Sequence, residues 1–281
     1  MDRMITLIKI ELFKIFKRPR TYIGFLAIFI IVIAIQGAMY FEGDSLVTMG
    51  IQNLENVFRL EGGIINVSLM TYILLNSLII HIPILICLVT GDSIAGEASS
   101  GTIRLLLQKP YSRTKIYFAK AITGFIYSFL LVLFTAVLCF ITGQLLFGQG
   151  DLIVLRRGVS VFTQDDVLWR FLCAFSMGLL SMLVVASLSL MISSFVNNAI
   201  GPIVGTIAII IVLNIIFTLG ATFFESILPY IFTTHFVKWQ YFFDFNLAKA
   251  PIYNAIIVQL IYIVIFNVIG IIHFKNKDIL S

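Results

Sequence analysis

Six long apolar stretches, separated by shorter polar segments, dominate the pattern of residues along the chain. None of the six contains Asp, Glu, Lys or Arg, and their approximate bounds are 22–40, 64–89, 121–147, 171–196, 200–224 and 252–272. A helix of about 20 such residues spans the roughly 30 Å of hydrocarbon in a bilayer. Because lipid cannot satisfy exposed backbone groups, the pattern predicts an all-α integral membrane protein with about six transmembrane helices, in a single membrane domain over residues 1–281.

A basic, amphipathic segment precedes the first apolar stretch. Between Met1 and Arg20, apolar residues recur at helical spacing, namely Ile5, Ile8, Leu12, Ile15 and Phe16, and the basic residues Arg3, Lys9, Lys14 and Lys17 fall on other faces. This pattern favours a helix over residues 1–20 that lies in the membrane interface. The alternative is a basic flank that only orients the first span.

Composition and charge support a membrane protein and suggest its orientation. Hydrophobic residues make up 60% of the chain and charged residues 12%, whereas soluble domains carry roughly twice that charge. Of the 19 lysine and arginine residues, 13 lie in the N-terminal segment, segment 91–120 and the C-terminal tail, and 6 lie elsewhere (Arg59, Arg156, Arg157, Arg170, Lys238 and Lys249). Since positively charged loops stay in the cytoplasm, we expect both termini on the cytoplasmic side of the cell membrane.

A few polar side chains interrupt the apolar stretches. Gln36, Asn76, His81 and Gln144 lie within the first three, and polar side chains seldom face lipid, so they are candidates for lining a polar pathway. The competing interpretation is ordinary helix packing. Small residues in the fourth stretch and the Gly201 to Gly205 pair favour close helix approach, and Pro83 predicts a kink in the second stretch.

Metal binding and cysteine chemistry have no support in the sequence. Cys87, Cys139 and Cys173 all fall inside apolar runs, which is typical of small buried residues. The three histidines have no ligand-like spacing. We therefore expect neither a metal site nor a cofactor in this chain.

Two segments on the predicted outer side are expected to form structured caps. The first, 42–63, is short and acidic. The second, 225–251, interleaves aromatic residues with Lys238, Asp244 and Lys249, as interfacial segments do.

The segment from Gly91 to Lys115 reads GDSIAGEASSGTIRLLLQKPYSRTK and lies between the second and third stretches. We predict that the chain leaves the membrane here, turns and forms a short helix. Residues 99–102 offer capping side chains, residues 103–107 an apolar face and Pro110 a stop. An ordinary basic loop would explain the charges but not the leucines at 105–107, which favour contact with another protein.

The chain resembles the ABC-2 type permease subunits of ATP-binding cassette exporters. The resemblance covers nearly the whole chain and rests on the basic start IKIELFKIFKRPR, six spans, the segment GEASSGTIRLLLQKPYSRTKIYFAK and the closing FKNKDI. It implies six spans per subunit, pairing with a second permease subunit as a homodimer or with a sister chain, and docking of a cytosolic ATPase on the loop after the second span. By resemblance, that coupling element includes Glu97, Gly101, Thr102, Arg104, Pro110, Ser112 and Arg113, and we add Leu106 as an apolar contact.

The chain has no GxxxxGK[ST] phosphate loop, GxGxxG fingerprint or GxSxG elbow. ATP, its Mg²⁺ and the hydrolysis reaction are therefore expected on the partner ATPase. The resemblance also implies export, and an antimicrobial peptide or drug-like amphiphile as cargo. Two other classes stay open: a membrane anchor or sensor that recruits cytosolic proteins, and an intramembrane enzyme that uses His81, Asp92 or Glu97.

Overall fold

A computed structural model describes residues 2–51, 65–156, 159–219, 223 and 225–277, and these residues are almost entirely helical. In chain order the helices are α1 (Asp2–Lys17), α2 (Pro19–Ile51), α3 (Val67–Thr90), α4 (Asp92–Ser99), α5 (Thr102–Leu107), α6 (Arg113–Phe147), α7 (Gln164–Phe195), α8 (Ile200–Leu219) and α9 (Lys249–Asn276). Between α6 and α7 lie two short antiparallel strands, β1 (Leu152–Leu155) and β2 (Val159–Phe162). Three short 3-10 helices, Leu228–Tyr230, Phe232–His235 and Lys238–Phe243, connect α8 to α9.

Six helices, α2, α3, α6, α7, α8 and α9, are long and apolar enough to span a membrane. The predicted all-α membrane fold is thus confirmed, and the chain is a multi-pass membrane protein. Most of these helices extend beyond the predicted apolar bounds, because polar residues continue them at one or both ends. Some predicted features lie outside the described residues. These are residue 64 at the start of the second span, most of residues 220–224 at the end of the fifth span, Arg59 and Arg157.

Helix α7 is the centre of the bundle. It packs against α3, α6, α8 and α9, and more than half of its most apolar stretch is buried inside the protein. Less than a quarter of the corresponding stretch is buried in each of α2, α8 and α9. In a bilayer the exposed apolar surface of these three helices would face lipid or another protein.

Successive spans run in alternate directions, so the connecting segments gather at two ends of the bundle. At the end that we call the charged end, α1, α4, α5 and the C-terminus of α9 meet around buried Leu7, Ile94, Ile103, Tyr117 and Phe274. The three segments that carry most of the lysine and arginine residues therefore share one end. The opposite end, called the hairpin end, holds the strands and the 3-10 helices.

The hairpin end has two features that the sequence did not predict. Residues 225–243 form a cap, and four of its aromatic side chains pack inside the protein. Phe232, Phe236, Trp239 and Phe243 are buried in the protein. The β-hairpin was not predicted. Residues 42–51 continue α2, and the rest of the predicted acidic cap, 52–63, lies outside the described residues.

Candidate coupling site at the charged end

The connection between α1 and α2 is a break in the helix at a single residue, Arg18, which we call the elbow. The predicted helix over residues 1–20 ends at Lys17, and Pro19 opens α2. Proline lacks the N–H needed to continue a helix but fits the first position of a new one. The Ile15 carbonyl is instead bonded by the Arg18 N–H at 3.1 Å and by the Thr21 hydroxyl at 2.5 Å. The backbone carbonyls of Ile15 and Arg18 at the elbow are therefore hydrogen-bonded.

A buried lysine on α6 joins α1 to α4. Lys120 Nζ lies 2.9 Å from Glu11 Oε2 and 2.8 Å from Glu97 Oε2. It also donates to the Ser93 carbonyl at 2.9 Å. The Lys120 side chain has no exposed surface, and those of Glu11 and Glu97 have about a twentieth. Because charges buried in this way are stable only with partners, the three residues hold three helices in one arrangement.

Lys14 extends this cluster toward the surface. Its Nζ lies 2.6 Å from Glu11 Oε1 and 2.9 Å from Glu97 Oε1, so both carboxylates are shared by the same two lysines. Burial by itself lowers the pKa of Lys14, but the two carboxylates outweigh burial and raise that pKa above its usual value. Lys14 is therefore held as a cation at physiological pH.

A second group of charges lies at the elbow itself. Buried Asp92, the first residue of α4, accepts hydrogen bonds from Arg18 and from Arg20, the latter at 2.9 Å. A carboxylate in the first turn of a helix also complements the helix dipole. Asp92 therefore ties the start of α4 to both sides of the α1–α2 elbow.

The junction between α3 and α4 is pinned by α7. The helical path continues through Gly91 with φ of −66°, so α4 follows α3 directly. A Cβ at Gly91 would lie 2.7 Å from the Cys87 carbonyl oxygen and 3.0 Å from Ser189 Oγ, so only glycine allows this packing. Ser193 Oγ donates to the Gly91 carbonyl at 2.6 Å and accepts from the N–H groups of Ile94 and Ala95. Movement of α4 is thus tied to movement of α7.

Helix α5 is the short helix predicted after the second span, and its N-cap lies within the predicted capping stretch 99–102. Its N-cap is Gly101 with φ of +71°, and the capping position contributes no side-chain hydrogen bond. Glycine is favoured there because a Cβ would strain this left-handed conformation. Ser100 and Thr102, expected as caps, instead bond one another at 2.9 Å.

Helix α5 presents a mixed surface to solvent. Ile103 is buried in the core of the charged end, and Leu106 packs half-buried against that core. Thr102 and Arg104 are exposed, and 63% of Leu105 is exposed. The helix is therefore anchored on one face, and Leu105 with its polar neighbours forms the face available to a partner.

The last three predicted coupling residues lie in and after the α5–α6 connection. Pro110 is exposed, and Ser112 is the N-cap of α6, accepting from the Lys115 N–H at 3.4 Å. The Arg113 guanidinium donates to the carbonyls of Lys275 at 3.0 Å and Lys277 at 2.5 Å. It therefore caps α9 and joins the predicted coupling segment to the closing FKNKDI motif, whose last two residues lie outside the described residues.

The C-terminal segment is also joined to the α7–α8 connection. Lys277 Nζ donates to the carbonyls of Ser194 at 2.9 Å and Val196 at 3.2 Å. Partial burial lowers the Lys277 pKa from its usual value. Together with Arg113, this contact closes the charged end from α5 to α9.

The predicted coupling residues thus fall into two groups. Glu97 and Arg113 are tied into the bundle, whereas Thr102, Arg104 and Pro110 face solvent. Glu11, Lys14, Asp92 and Lys120 complete the buried network, and sequence reasoning did not identify them as a cluster. Lys120 directly precedes the predicted third span, where a lysine is expected to be a loop charge. The only local sign of the cluster in the sequence is the three-residue spacing of Glu11 and Lys14, which favours an ion pair on one helix.

The structure does not bring the four predicted pathway residues together. Gln36 is buried and donates to the Cys139 carbonyl at 3.3 Å. Asn76 accepts from Gln240 at 2.6 Å. His81 and Gln144 are exposed on different helices.

A cavity of about 540 Å³ lies elsewhere, between α3 and α8. Its lining is apolar except for Asn214 and Thr218, and it includes Pro83. None of the four predicted pathway residues contributes to that lining.

The residues named for an intramembrane enzyme are also separated. His81 and Asp92 are eleven residues apart along one continuous helical path, or about 16 Å at the usual rise. Asp92 and Glu97 are engaged in ion pairs. Among the residues that the structure describes, no three His, Cys, Asp or Glu side chains group as metal ligands.

A family model described as "Protein of unknown function (DUF2705)" matches residues 29–280. No curated protein matches the chain.

Proposed function

The chain belongs to the DUF2705 family, and we propose that it is the membrane-spanning permease subunit of an ATP-driven exporter of the ABC-2 type. In this proposal the charged end faces the cytoplasm, α5 docks a separate ATPase, and the six long helices contribute to the substrate path. The family description assigns no function, so the proposal depends on the resemblance and on the site.

One observation supports the proposal most directly: α5 exposes Leu105 yet is anchored to helices throughout the bundle. Ile103 fixes α5 in the core of the charged end, and Gly101 joins it to α4. Helix α4 is held in turn by Lys120 of α6 and Ser193 of α7. A push on α5 would therefore reach α6 and α7 through buried contacts, as coupling to a partner requires.

The orientation in the proposal follows from charge. Lysine and arginine residues of α1, the α5 region and the C-terminal segment lie at the charged end, and the positive-inside rule directs such an end to the cytoplasm. A cytosolic ATPase would meet α5 only in that orientation. The partner supplies ATP, Mg²⁺ and hydrolysis, since this sequence has no phosphate loop.

A second permease subunit, identical or a sister chain, completes the proposed transporter. The large exposed apolar surfaces of α2, α8 and α9 leave room for such a neighbour. The apolar cavity between α3 and α8 suits an amphiphilic cargo with few polar groups, such as a hydrophobic peptide or drug.

The test is ATP hydrolysis by the tagged chain and the proteins that co-purify with it from native membranes. We expect Leu105→Asp and Arg104→Asp each to lower the associated ATPase activity at least tenfold. Leu106→Asp is less suitable, because Leu106 packs against the core and its loss would also disturb folding. Phe245→Asp is the matched control, since Phe245 is 77% exposed at the hairpin end.

Wild-type activity in both α5 variants would overturn the docking role. Hydrolysis that is lost in those variants but is not stimulated by any amphiphile would instead support the membrane anchor or sensor, which recruits a protein without transporting cargo.

A further inference from the structure

The outward face of α1 combines exposed apolar and basic side chains. Ile5, Lys9, Phe13 and Lys17 follow a four-residue spacing and form one stripe. Phe13 is 64% exposed and Ile5 47%, and Lys17 Nζ lies 5.4 Å from the centre of the Phe13 ring. Such a stripe is suited to the boundary between lipid headgroups and acyl chains.

The α1–α2 elbow adds two guanidinium groups beside this stripe. The side chains of Arg18 and Arg20 are 38% and 55% exposed. Both bond to the carboxylate of Asp92, which can balance only one of the two positive charges. Each guanidinium carries five donors, so each can bond a phosphate while keeping its contact with Asp92.

The charge that this region presents to its surroundings is positive. The carboxylates of Glu11, Asp92 and Glu97 are all buried, whereas Lys9, Lys17 and Arg20 are exposed. An anion approaching the described part of α1 and the elbow therefore meets exposed cations.

Helix α2 continues from the elbow as an exposed apolar surface. Tyr22, Leu26 and Ile30 follow a four-residue spacing, and each is more than half exposed. An acyl chain can lie along them while its headgroup stays at Arg18 and Arg20.

We propose that the α1–α2 elbow binds an anionic phospholipid, with its phosphate at Arg18 and Arg20, its headgroup beside Lys17 and an acyl chain along α2. Anionic lipid is favoured over zwitterionic lipid because a choline group would add a positive charge to a region that is already basic. This inference does not depend on the proposed function, since any membrane protein with this elbow could use it.

The test compares two spin-labelled lipids with the protein reconstituted in phosphatidylcholine bilayers. The motionally restricted fraction of labelled phosphatidylglycerol and of labelled phosphatidylcholine gives their relative association with the protein by electron paramagnetic resonance. We expect phosphatidylglycerol to be favoured about fivefold at low salt, corresponding to about 1 kcal/mol for one effective basic contact.

Three variants locate the site. Arg20→Gln and Lys17→Gln should each bring the preference toward one, and Arg20→Lys should restore part of it. Lys109→Gln is the control, because Lys109 is exposed at the charged end but lies in the α5–α6 connection. It should leave the preference unchanged.

Three results of the lipid comparison would overturn the proposal. The first is the absence of a preference for phosphatidylglycerol in the wild-type protein. The second is an equal loss of that preference in Lys109→Gln, which would indicate diffuse charge. The third is a full preference in both Arg20→Gln and Lys17→Gln. Displacement of labelled lipid by inorganic phosphate alone would also overturn it, because the site would then bind the free anion.

Discussion

The two ends of the bundle are both closed by buried charges, but in different ways. At the charged end, Glu11 and Glu97 share Lys14 and Lys120, so each charge has two partners on different helices. At the hairpin end, Arg170 of α7 bonds Asp166 on its own helix and the backbone carbonyl of Phe242, and stacks 4.2 Å from the Phe162 ring. One end is a network of shared carboxylates, whereas the other holds the separate ion pairs Arg170–Asp166 and Arg156–Asp244.

This difference suggests different mechanical roles. Shared carboxylates can pass from one lysine to another as helices shift, so the charged end can rearrange without leaving a buried charge unpaired. Arg170 pairs with Asp166 on its own helix and otherwise bonds backbone carbonyls and stacks on aromatic rings, so its carboxylate partner moves with it. In the transport proposal the charged end receives the movement and the hairpin end resists it.

The largest effect is expected from Lys120→Met. The substitution keeps the length of the side chain but leaves two buried carboxylates with Lys14 alone. Breaking a buried ion pair costs about 3–5 kcal/mol, so the free energy of unfolding in detergent should fall by that order. Adding Glu97→Gln should recover part of the loss. Equal stability of Lys120→Met and the wild-type protein would contradict the network.

Arg170→Met tests the hairpin end. It removes the bonds to Asp166 and to the carbonyl groups of Phe242 and Asp244. We expect a loss of about 2–3 kcal/mol, since hydrogen bonds from charged groups contribute more than neutral ones. ATPase association, measured by co-purification, should persist in the folded fraction. Loss of that association would contradict the separation of roles between the two ends.

Ser193→Ala tests the link between α4 and α7. The hydroxyl serves three backbone groups, at Gly91, Ile94 and Ala95, and its removal should cost about 1–2 kcal/mol. Ser176→Ala is the matched control, because Ser176 is exposed and bonds only the carbonyl one turn before it. Thermal unfolding of the two variants measures the difference, and equal midpoints would count against the pinned junction.

The smallest effect concerns His235 in the cap of the hairpin end. Burial lowers its pKa, and nearby Lys238 adds to this, although the bond to the Pro229 carbonyl opposes it. Near pH 6.5, His235 therefore takes up a proton more readily in the unfolded chain than in the folded protein. The stability that neutral His235 contributes should be present above about pH 6.5 and fall as the pH drops below it.

His235→Gln provides the comparison for that pH dependence. Glutamine can still donate to the Pro229 carbonyl but does not titrate. Unfolding midpoints between pH 7.5 and 5.5 should fall less in the variant than in the wild-type protein. Identical pH profiles would show that His235 does not contribute.

The sequence predicted the spans because a run without charge over about 20 residues has few alternatives to a membrane helix. It did not predict the β-hairpin, whose four-residue strands are too short to give a clear alternation. It also missed the ion network. Glu11 and Lys120 are 109 residues apart, and nothing local distinguishes a lysine that will be buried from one that orients a loop.

The resemblance indicated residues 91–115 as a candidate coupling segment, but it did not show which of their side chains are exposed. Leu105 and Leu106 are adjacent and chemically identical, yet one is exposed and the other packs against the core. That distinction depends on how α5 is placed by Gly101 and Ile103, which a pattern of residue types does not contain.

The most direct test of the docking role is a photoreactive residue placed at position 105 in native cells. After irradiation, we expect a cross-linked partner that carries the GxxxxGK[ST] phosphate loop. The same residue at position 245, exposed at the hairpin end, should not capture it. Absence of such an ATPase at position 105, or equal capture at position 245, would contradict the account.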